Sequence, residues 1–354
     1  MGGEIEVRTI DYHTGGEPFR IVTAGVPEIP GATVLERRTN ASAPEIDRVR
    51  RLLCHEPRGH ADMYGCFLVP PDDAGAHLGV LFWHKDGYST ACGHGTIALG
   101  VHAVESGLVQ ADPDGDTDVV VDVPSGRVTA RVHCSGGVIE SVTFRNVPSH
   151  VTARNVPITV PTAARTGAPG AAGTGAAEAL HVSGATRGAA EVAVDIAYGG
   201  AMYASLPAGA FGLSVEPRHL TDLIALGRAV KAALRDHPAA RHPTDDRLSG
   251  IYGVIFYDEL GPGHQRNVTV FADGEVDRSP CGSGTAARLA LLHADGFTGE
   301  LTHDSIVGTT FTGRVAEVRG DAVIPEITGM AYRTGSHRFV LDPRDPVGPG
   351  FTLR

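Results

Sequence analysis

Period-two alternation dominates the first part of the chain. EVRTIDYHT, FRIVTAG, MYGCFLVPP, LGVLFWHK and TDVVVDVPSG carry β-branched and apolar alternation broken by Gly, Pro and Asp. That is the pattern of short, half-buried strands joined by turns, and the first 160 residues read this way almost throughout. The alternation gives way after a strand ending at Thr90. TIALGVHAVESG spaces its apolar residues at helical intervals and closes on Gly107, a helix stop. From Ala163 to Ala190 the chain is rich in Ala, Gly and Thr and reads as a variable loop or linker with one helical turn at most. AEVAVDIAYGGAMYASLP restarts the strand pattern, and HLTDLIALGRAVKAALRDH is the clearest amphipathic helix. GIYGVIFYDE and RNVTVFADG follow as strands, TAARLALLHADG as a helix stopping at Gly296, and SIVGTTFTGRVAEV and RFVLD as the last strands.

Two of these helices begin alike. STACGHGTIALG (Ser89–Gly100) and RSPCGSGTAARLA (Arg278–Ala290) both run Cys–Gly–x–Gly–Thr–x–Ala at the end of a strand and the start of a helix. The period is far too long for a solenoid, so the repeat is a duplication at domain scale. A chain of 354 residues is comfortable for two domains. The fold class expected is α/β, with two pseudo-symmetric domains. The first spans residues 1–155, carries Cys92 and is joined by the C-terminal segment from about 335 to 354; the second spans 156–334 and carries Cys281. If the domains face each other, the two cysteines meet across one cleft.

Composition narrows the function classes. Hydrophobic residues make up 42% and charged residues 20%, which suits a packed core and argues against disorder. The net charge of −11 comes from 41 acids against 30 bases, and no basic stripe is interleaved with aromatics, so nucleic acid is not an expected partner. No apolar run approaches the length of a membrane span, and MGGEIEVRTIDY has neither the basic nor the apolar region of a secretory signal. A cytoplasmic setting is expected, with all five cysteines as free thiols. No cysteine belongs to a C-x-x-C pair. Cys66 and Cys134 read as strand residues of the core, and Cys54, near His55, His60 and Asp62, matches no zinc spacing. No metal is expected.

The chemistry lies in the twin turns. A cysteine at a helix N-terminus sits among unsatisfied N–H groups at the positive end of the dipole, which lowers a thiol pKa from about 8.5. The glycines let the backbone approach a ligand and offer N–H groups to a carboxylate. One such turn is weak evidence; two matched copies fit a racemase, in which one thiolate removes an α-proton and the opposite thiol returns one. No cofactor is required for this. Lys85 and Lys231 are the two lysines, and neither lies in a Schiff-base motif.

At these residues the sequence resembles the proline racemase family, which includes hydroxyproline 2-epimerases and trans-3-hydroxy-L-proline dehydratases. The resemblance runs through DYHTGGEPFRIV (Asp11–Val22), RGHADMYG (Arg58–Gly65), ACGHG, DIAYGGAMYA (Asp195–Ala204), DRSPCGSGTAAR (Asp277–Arg288) and SIVGTTFTGRV. It implies a diaminopimelate-epimerase-like fold, each domain wrapping sheet around a central helix, with the active site between them. It also implies cofactor-independent proton transfer at the α-carbon of a proline-like amino acid. Cys92 and Cys281 are the implied acid/base pair. The N–H groups of Gly93, His94, Gly282 and Ser283 are the implied carboxylate site, and His94 and Asp277 the implied contacts to the ring nitrogen. Ser283 stands where many relatives have Thr. His13, Thr14 and Glu17 in HTGGEP, and Asp62 and Tyr64 in RGHADMYG, are candidates for lining the site. Relatives are often homodimers.

Within the family, the best-known dehydratases replace one of the paired cysteines, commonly by Thr. Both positions here are Cys, which favours racemisation or epimerisation. HKDGYSTACGHG nonetheless resembles the dehydratase branch. Tyr252-Gly253 stand near the position where several 4-hydroxyproline epimerases carry a substrate-contacting His. A proline-binding protein without catalysis would need the carboxylate turns but no second cysteine, and a cysteine hydrolase would have no use for the duplication.

Overall fold

A computed structural model describes residues 5–161 and 189–353. The Ala-rich stretch from Ala163 lies outside the described residues except for its last two, which begin a strand. The first half runs β1 (Ile5–Thr14), β2 (Glu17–Ala24), α1 (Val34–Asn40), α2 (Pro44–Cys54), β3 (Gly65–Val69), β4 (Leu78–His84), β5 (Gly87–Tyr88), α3 (Gly93–Glu105), β6 (Asp116–Val123), β7 (Gly126–Ser135) and β8 (Val138–Arg145). The chain continues with β9 (Ser149–Pro161), β10 (Ala189–Tyr198), β11 (Met202–Pro207), α4 (Leu220–Leu234), β12 (Ile251–Gly261), β13 (His264–Phe271), β14 (Glu275–Asp277) and α5 (Gly282–Ala294). It ends with β15 (Leu301–Ser305), β16 (Thr310–Arg319), β17 (Ala322–Gly329) and β18 (Ala331–Leu341).

The duplication reaches down to strand pairing. One set of neighbours runs β18-β1-β2-β3-β4-β6-β7-β8, antiparallel except at β2–β3 and β4–β6. The other runs β9-β10-β11-β12-β13-β15-β16-β17, antiparallel except at β11–β12 and β13–β15. The two lists have the same order of parallel and antiparallel joints. Parallel neighbours need a crossover, and helices supply all four: α1 and α2, then α3, then α4, then α5. The chain's last strand thus serves the first half by pairing with β1, as β9 serves the second by pairing with β10. Strand β17 pairs with both β8 and β9, joining the halves into one hydrogen-bonded sheet. The expected domain boundary at 155/156 falls inside β9.

Each half wraps its strands around one helix. α3 is buried from Gly93 to Ala103 and α5 from Gly282 to Leu291, which suits helices made mostly of apolar or small residues. Ile97, Leu99 and Val101 are at most 1% exposed, and each such side chain contributes roughly 1.5–3 kcal/mol by leaving water. Gly100 lets α3 approach the sheet, since a Cβ there would lie 2.9 Å from that of Ala130.

Two expectations need correction. The first 160 residues are not strands and turns alone, because α1 and α2 lie between β2 and β3. Thr33 caps α1 by accepting the Glu36 N–H, and Pro44 opens α2, where its missing N–H costs nothing. α2 buries Ile46, Val49, Leu52 and Leu53 at helical spacing. The strand before Cys92 is also shorter than expected: β5 is two residues long and stops at Tyr88 rather than Thr90. No described helix is long and apolar enough to cross a membrane.

Candidate active site

The twin turns place their cysteines at the starts of the two central helices. Cys92 caps α3 with extended backbone (φ −156°), and its Sγ accepts the Gly95 N–H at 3.1 Å. Cys281 precedes α5 at φ 61° and ψ 94°, in the left-handed half of the map that non-glycine residues rarely enter. Its N–H donates to Ser279 Oγ at 3.0 Å, which helps hold the turn.

The glycines of each motif have separate reasons. The second one faces the sulfur: a Cβ on Gly95 would lie 2.8 Å from Cys92 Sγ, and one on Gly284 would lie 2.9 Å from Cys281 Sγ. The first one faces the other half of the molecule. A Cβ on Gly93 would come within 2.6 Å of the Gly282 Cα, and one on Gly282 within 2.7 Å of the Gly93 Cα. The N-termini of α3 and α5 therefore abut, backbone against backbone.

Both cysteines line one small cavity, together with Gly93, His94, Gly282, Ser283 and Asp277. Tyr64, Tyr203, Tyr252 and Phe271 form an aromatic wall, with Thr269 beside it. Helix starts leave backbone N–H groups without intrahelical partners, and two such starts converge here. Ser283 adds a further donor, since its buried Oγ has no hydrogen-bond partner among the described residues. Asp277 Oδ1 accepts the Ser279 N–H (2.8 Å) and hydroxyl (2.6 Å), and its Oδ2 lies 3.6 Å from His94 Nδ1. Burial pushes the Asp277 carboxyl up, but His94 and the two Ser279 bonds outweigh it and hold the group below its ordinary value.

The thiols behave otherwise than their helix positions suggest. Burial pushes both well above the ordinary cysteine range. The Gly95 N–H on Cys92, and the Thr269 hydroxyl and Gly284 N–H on Cys281, pull back only in part, while the Asp277 charge adds to the rise. Burial of the sulfurs works against the lowering expected of the helix end.

The other candidates fall into place around this centre. Tyr64 lines the cavity. Thr14 lies behind it, its hydroxyl donating to His94 O at 2.9 Å and tying β1 to the first turn of α3. Asp62 grips both sides of Asp277, accepting the Val276 N–H at 3.1 Å and Arg278 Nη2 at 2.7 Å. Glu17 accepts the Arg278 N–H at 2.7 Å. Asp62 and Glu17 thus come from the first half and hold a strand of the second. Asp62 faces a separate open cleft with His60 and Arg278 rather than the thiols. His13 does not line the cysteine cavity; its ring packs on Tyr332 with centroids 5.5 Å apart.

Sequence reasoning did not single out Tyr203, Thr269 and Phe271, and it noted Tyr252 only by position. Tyr203 lies within the DIAYGGAMYA motif, so a signal for it was present. The Cys54 thiol donates to Met63 O at 3.2 Å. Among the described residues, His84, Asp86 and Glu275 are the group with donor atoms close enough to share a metal ion. Lys85 Nζ, 3.3 Å from Asp86 Oδ2, already neutralises that carboxylate.

Comparison with known proteins agrees with this geometry. A family model described as proline racemase matches residues 9–168 and 176–352. A Bacillus cereus protein named trans-3-hydroxy-L-proline dehydratase is 42% identical, over 98% of this chain and 97% of its own. A Homo sapiens protein of the same name is 41% identical, over 98% of this chain and 94% of its own. The crystal structure of an Agrobacterium vitis hydroxyproline epimerase with bound trans-4-hydroxy-L-proline superposes with a TM-score of 0.84 at 31% identity, covering 99% of this chain and 96% of the other. The architecture is the two-domain, diaminopimelate-epimerase-like one that the resemblance implied.

Proposed function

The chain belongs to the proline racemase family, and from that premise we propose that it is a cofactor-independent racemase or 2-epimerase of proline or a hydroxyproline, with Cys92 and Cys281 as its two acid/base residues. The observation that carries this reading is the abutment of Gly93 and Gly282, which sets two cysteine-capped helix starts around one cavity. The substrate carboxylate lies on the N–H groups of Gly93, His94, Gly282 and Ser283, with the unpartnered Ser283 hydroxyl as a further donor. Asp277 and His94 take the ring nitrogen. The positive ring nitrogen offsets the burial that keeps the thiols protonated, so that one of them ionises beside bound substrate. That thiolate takes the α-proton. The charge left on the substrate spreads into the carboxylate, where both helix dipoles stabilise it. The second thiol returns a proton to the opposite face, and the two cysteines have exchanged roles.

The reading includes the division into residues 1–155 with 335–354 and residues 156–334, a cytoplasmic setting and a homodimer. The five cysteines, all free among the described residues, fit such a setting.

A second reading, trans-3-hydroxy-L-proline dehydratase, is favoured by the names of the 41–42% identical relatives. There the α-proton and the 3-hydroxyl leave as water and the product is a cyclic imine. One experiment separates the two. The purified protein, with reductant and no cofactor, is incubated in D₂O with L-proline, trans-4-hydroxy-L-proline and trans-3-hydroxy-L-proline, and products are followed by chiral chromatography and mass. A deuterated 2-epimer or enantiomer supports the first reading. A product lighter by one water, from the 3-hydroxy compound alone, replaces it with the second.

A further inference from the structure

Resting on that reading, we propose that Tyr64 and Thr269 are a matched pair of positioning residues, each turning a hydroxyl from the sheet onto one of the two sulfurs. Whichever cysteine gives up its proton is then held as a thiolate by one backbone N–H and one side-chain hydroxyl.

The two sulfurs have like surroundings. Each lies at the start of a buried helix, against the N–H of a motif glycine: Gly95 for Cys92 and Gly284 for Cys281. A single N–H leaves a thiolate short of donors where each cysteine is only 6% exposed. The second donor comes from outside the twin motifs. Tyr64, just before β3, and Thr269, on β13, both line the cavity, and their hydroxyls are engaged with Cys92 and Cys281 respectively. The other groups around the sulfurs do not replace them. Asp277 repels a thiolate at either position. His94, with Nδ1 3.5 Å from Cys92 Sγ, is shared with Asp277. Tyr203 and Tyr252 stay neutral phenols, since burial pushes both well above their ordinary value.

The Tyr64 hydroxyl has three neighbours: the Cys92 sulfur, Ser89 Oγ at very short range and Tyr252 OH at 3.2 Å. A phenol has one proton to give and lone pairs to receive. Ser89 and Tyr252 fill the lone pairs, which leaves the Tyr64 proton for the sulfur and polarises it. The ring is fixed edge-on against His94 and Phe271, with centroids 5.1 and 5.8 Å away. Burial raises its pKa, so the proton to be donated is present at neutral pH.

Thr269 is placed from the other half. The β13–β14 register sets it opposite Asp277, on the strand that leads to Cys281. Its Cγ2 faces Gly253, where a Cβ would lie 3.0 Å away, and in a β-branched side chain a seated methyl fixes the direction of the hydroxyl. The competing acceptor, Asn267 Oδ1, is 3.5 Å away, which is long for such a bond.

The test compares wild type, Tyr64→Phe, Thr269→Val and Thr269→Ser, with folding checked by thermal melting. Alkylation of Cys92 and of Cys281 by iodoacetamide is followed separately, by peptide mass spectrometry, from pH 7 to 9. Tyr64→Phe should slow Cys92 about tenfold at each pH and leave Cys281 within about twofold; Thr269→Val should do the reverse. Thr269→Ser should restore most of the rate lost in Thr269→Val. Both cysteines slowing equally, neither slowing, or Ser failing as Val does overturns the pairing of hydroxyls with sulfurs. Alkylation needs no turnover, so it judges the hydroxyls apart from the reaction. In parallel, kcat/KM for α-proton exchange in D₂O should fall about tenfold in Tyr64→Phe and Thr269→Val. A wild type that exchanges neither L-proline nor its trans-3- or trans-4-hydroxy derivative overturns the proposed function, whatever the alkylation shows.

Discussion

Gly93 and Gly282 touch backbone to backbone: a side chain on either would begin 2.6–2.7 Å from the other's Cα. This contact explains why the chain carries the same motif twice. Each helix start can meet its counterpart only if both lack a Cβ, and where they meet, the two cysteines share one cavity.

Gly93→Ala and Gly282→Ala should therefore push the helix starts apart. Overpacking of this kind costs about 1–3 kcal/mol of stability, and a displacement of the order of 1 Å lowers activity roughly 100-fold. Thermal melting and α-proton exchange rates check both effects. Wild-type activity in either variant would mean that the abutment is not needed.

The buried thiols set a pH dependence. Because burial raises both, the unliganded enzyme holds them protonated at neutral pH, and the reactive thiolate grows about tenfold per pH unit below the pKa. Inactivation by iodoacetamide should rise log-linearly from about pH 7 to pH 9 without a plateau. A carboxylate-bearing substrate analogue should slow it. A plateau below about pH 8 would show that the helix ends outweigh burial after all.

Glu17 is a carboxyl whose protonated form burial favours. It is fully buried, its carboxyl is pushed well above the ordinary range by burial and then by Asp277, and its Oε1 has no hydrogen-bond partner among the described residues. Glu17→Gln, which keeps the shape without a charge, should change kcat/KM by less than about fivefold. Glu17→Ala loses the acceptor of the Arg278 N–H beside Asp277 and should cost about 1–3 kcal/mol of stability together with activity. Equal losses in the two variants would show that a charged carboxylate is required.

His303 gives the fold an acid limit. It is buried under α5, takes part in a 2.8 Å bond with Thr285 Oγ1, and burial lowers its pKa to about 3. With a folded pKa below the unfolded value, its contribution is present above about pH 6.5 and is lost as pH falls towards 3, at up to about 1.4 kcal/mol per pH unit. Denaturation midpoints between pH 7 and 4 should fall less steeply in His303→Gln than in the wild type. Identical slopes would assign the acid sensitivity elsewhere.

Much of this architecture was legible in the pattern of residues. Alternation in EVRTIDYHT and the apolar run of LGVLFWHK marked β1 and β4, and the two Cys–Gly turns marked the central helices and their cysteines. α2 was missed although Pro44 and the spacing of Ile46, Val49, Leu52 and Leu53 announce it, because three arginines among them masked the apolar face. The direction of the thiol shifts was not legible, since a helix end can be read locally and desolvation depends on the whole enclosure. Nor was the wall of Tyr203, Tyr252 and Phe271, which three strands bring together from distant parts of the chain. Asp62 and Glu17 were noticed as polar motif residues, but their grip on the strand of Asp277 exists only once the halves are docked.

The most direct test of the central claim is the racemisation or epimerisation rate of Cys92→Ser and Cys281→Ser, measured separately on whichever proline-like substrate the wild type uses. The two-base account predicts that each variant loses about 10²- to 10⁴-fold, since proton delivery from either face is equally indispensable. Full activity in either variant would contradict it.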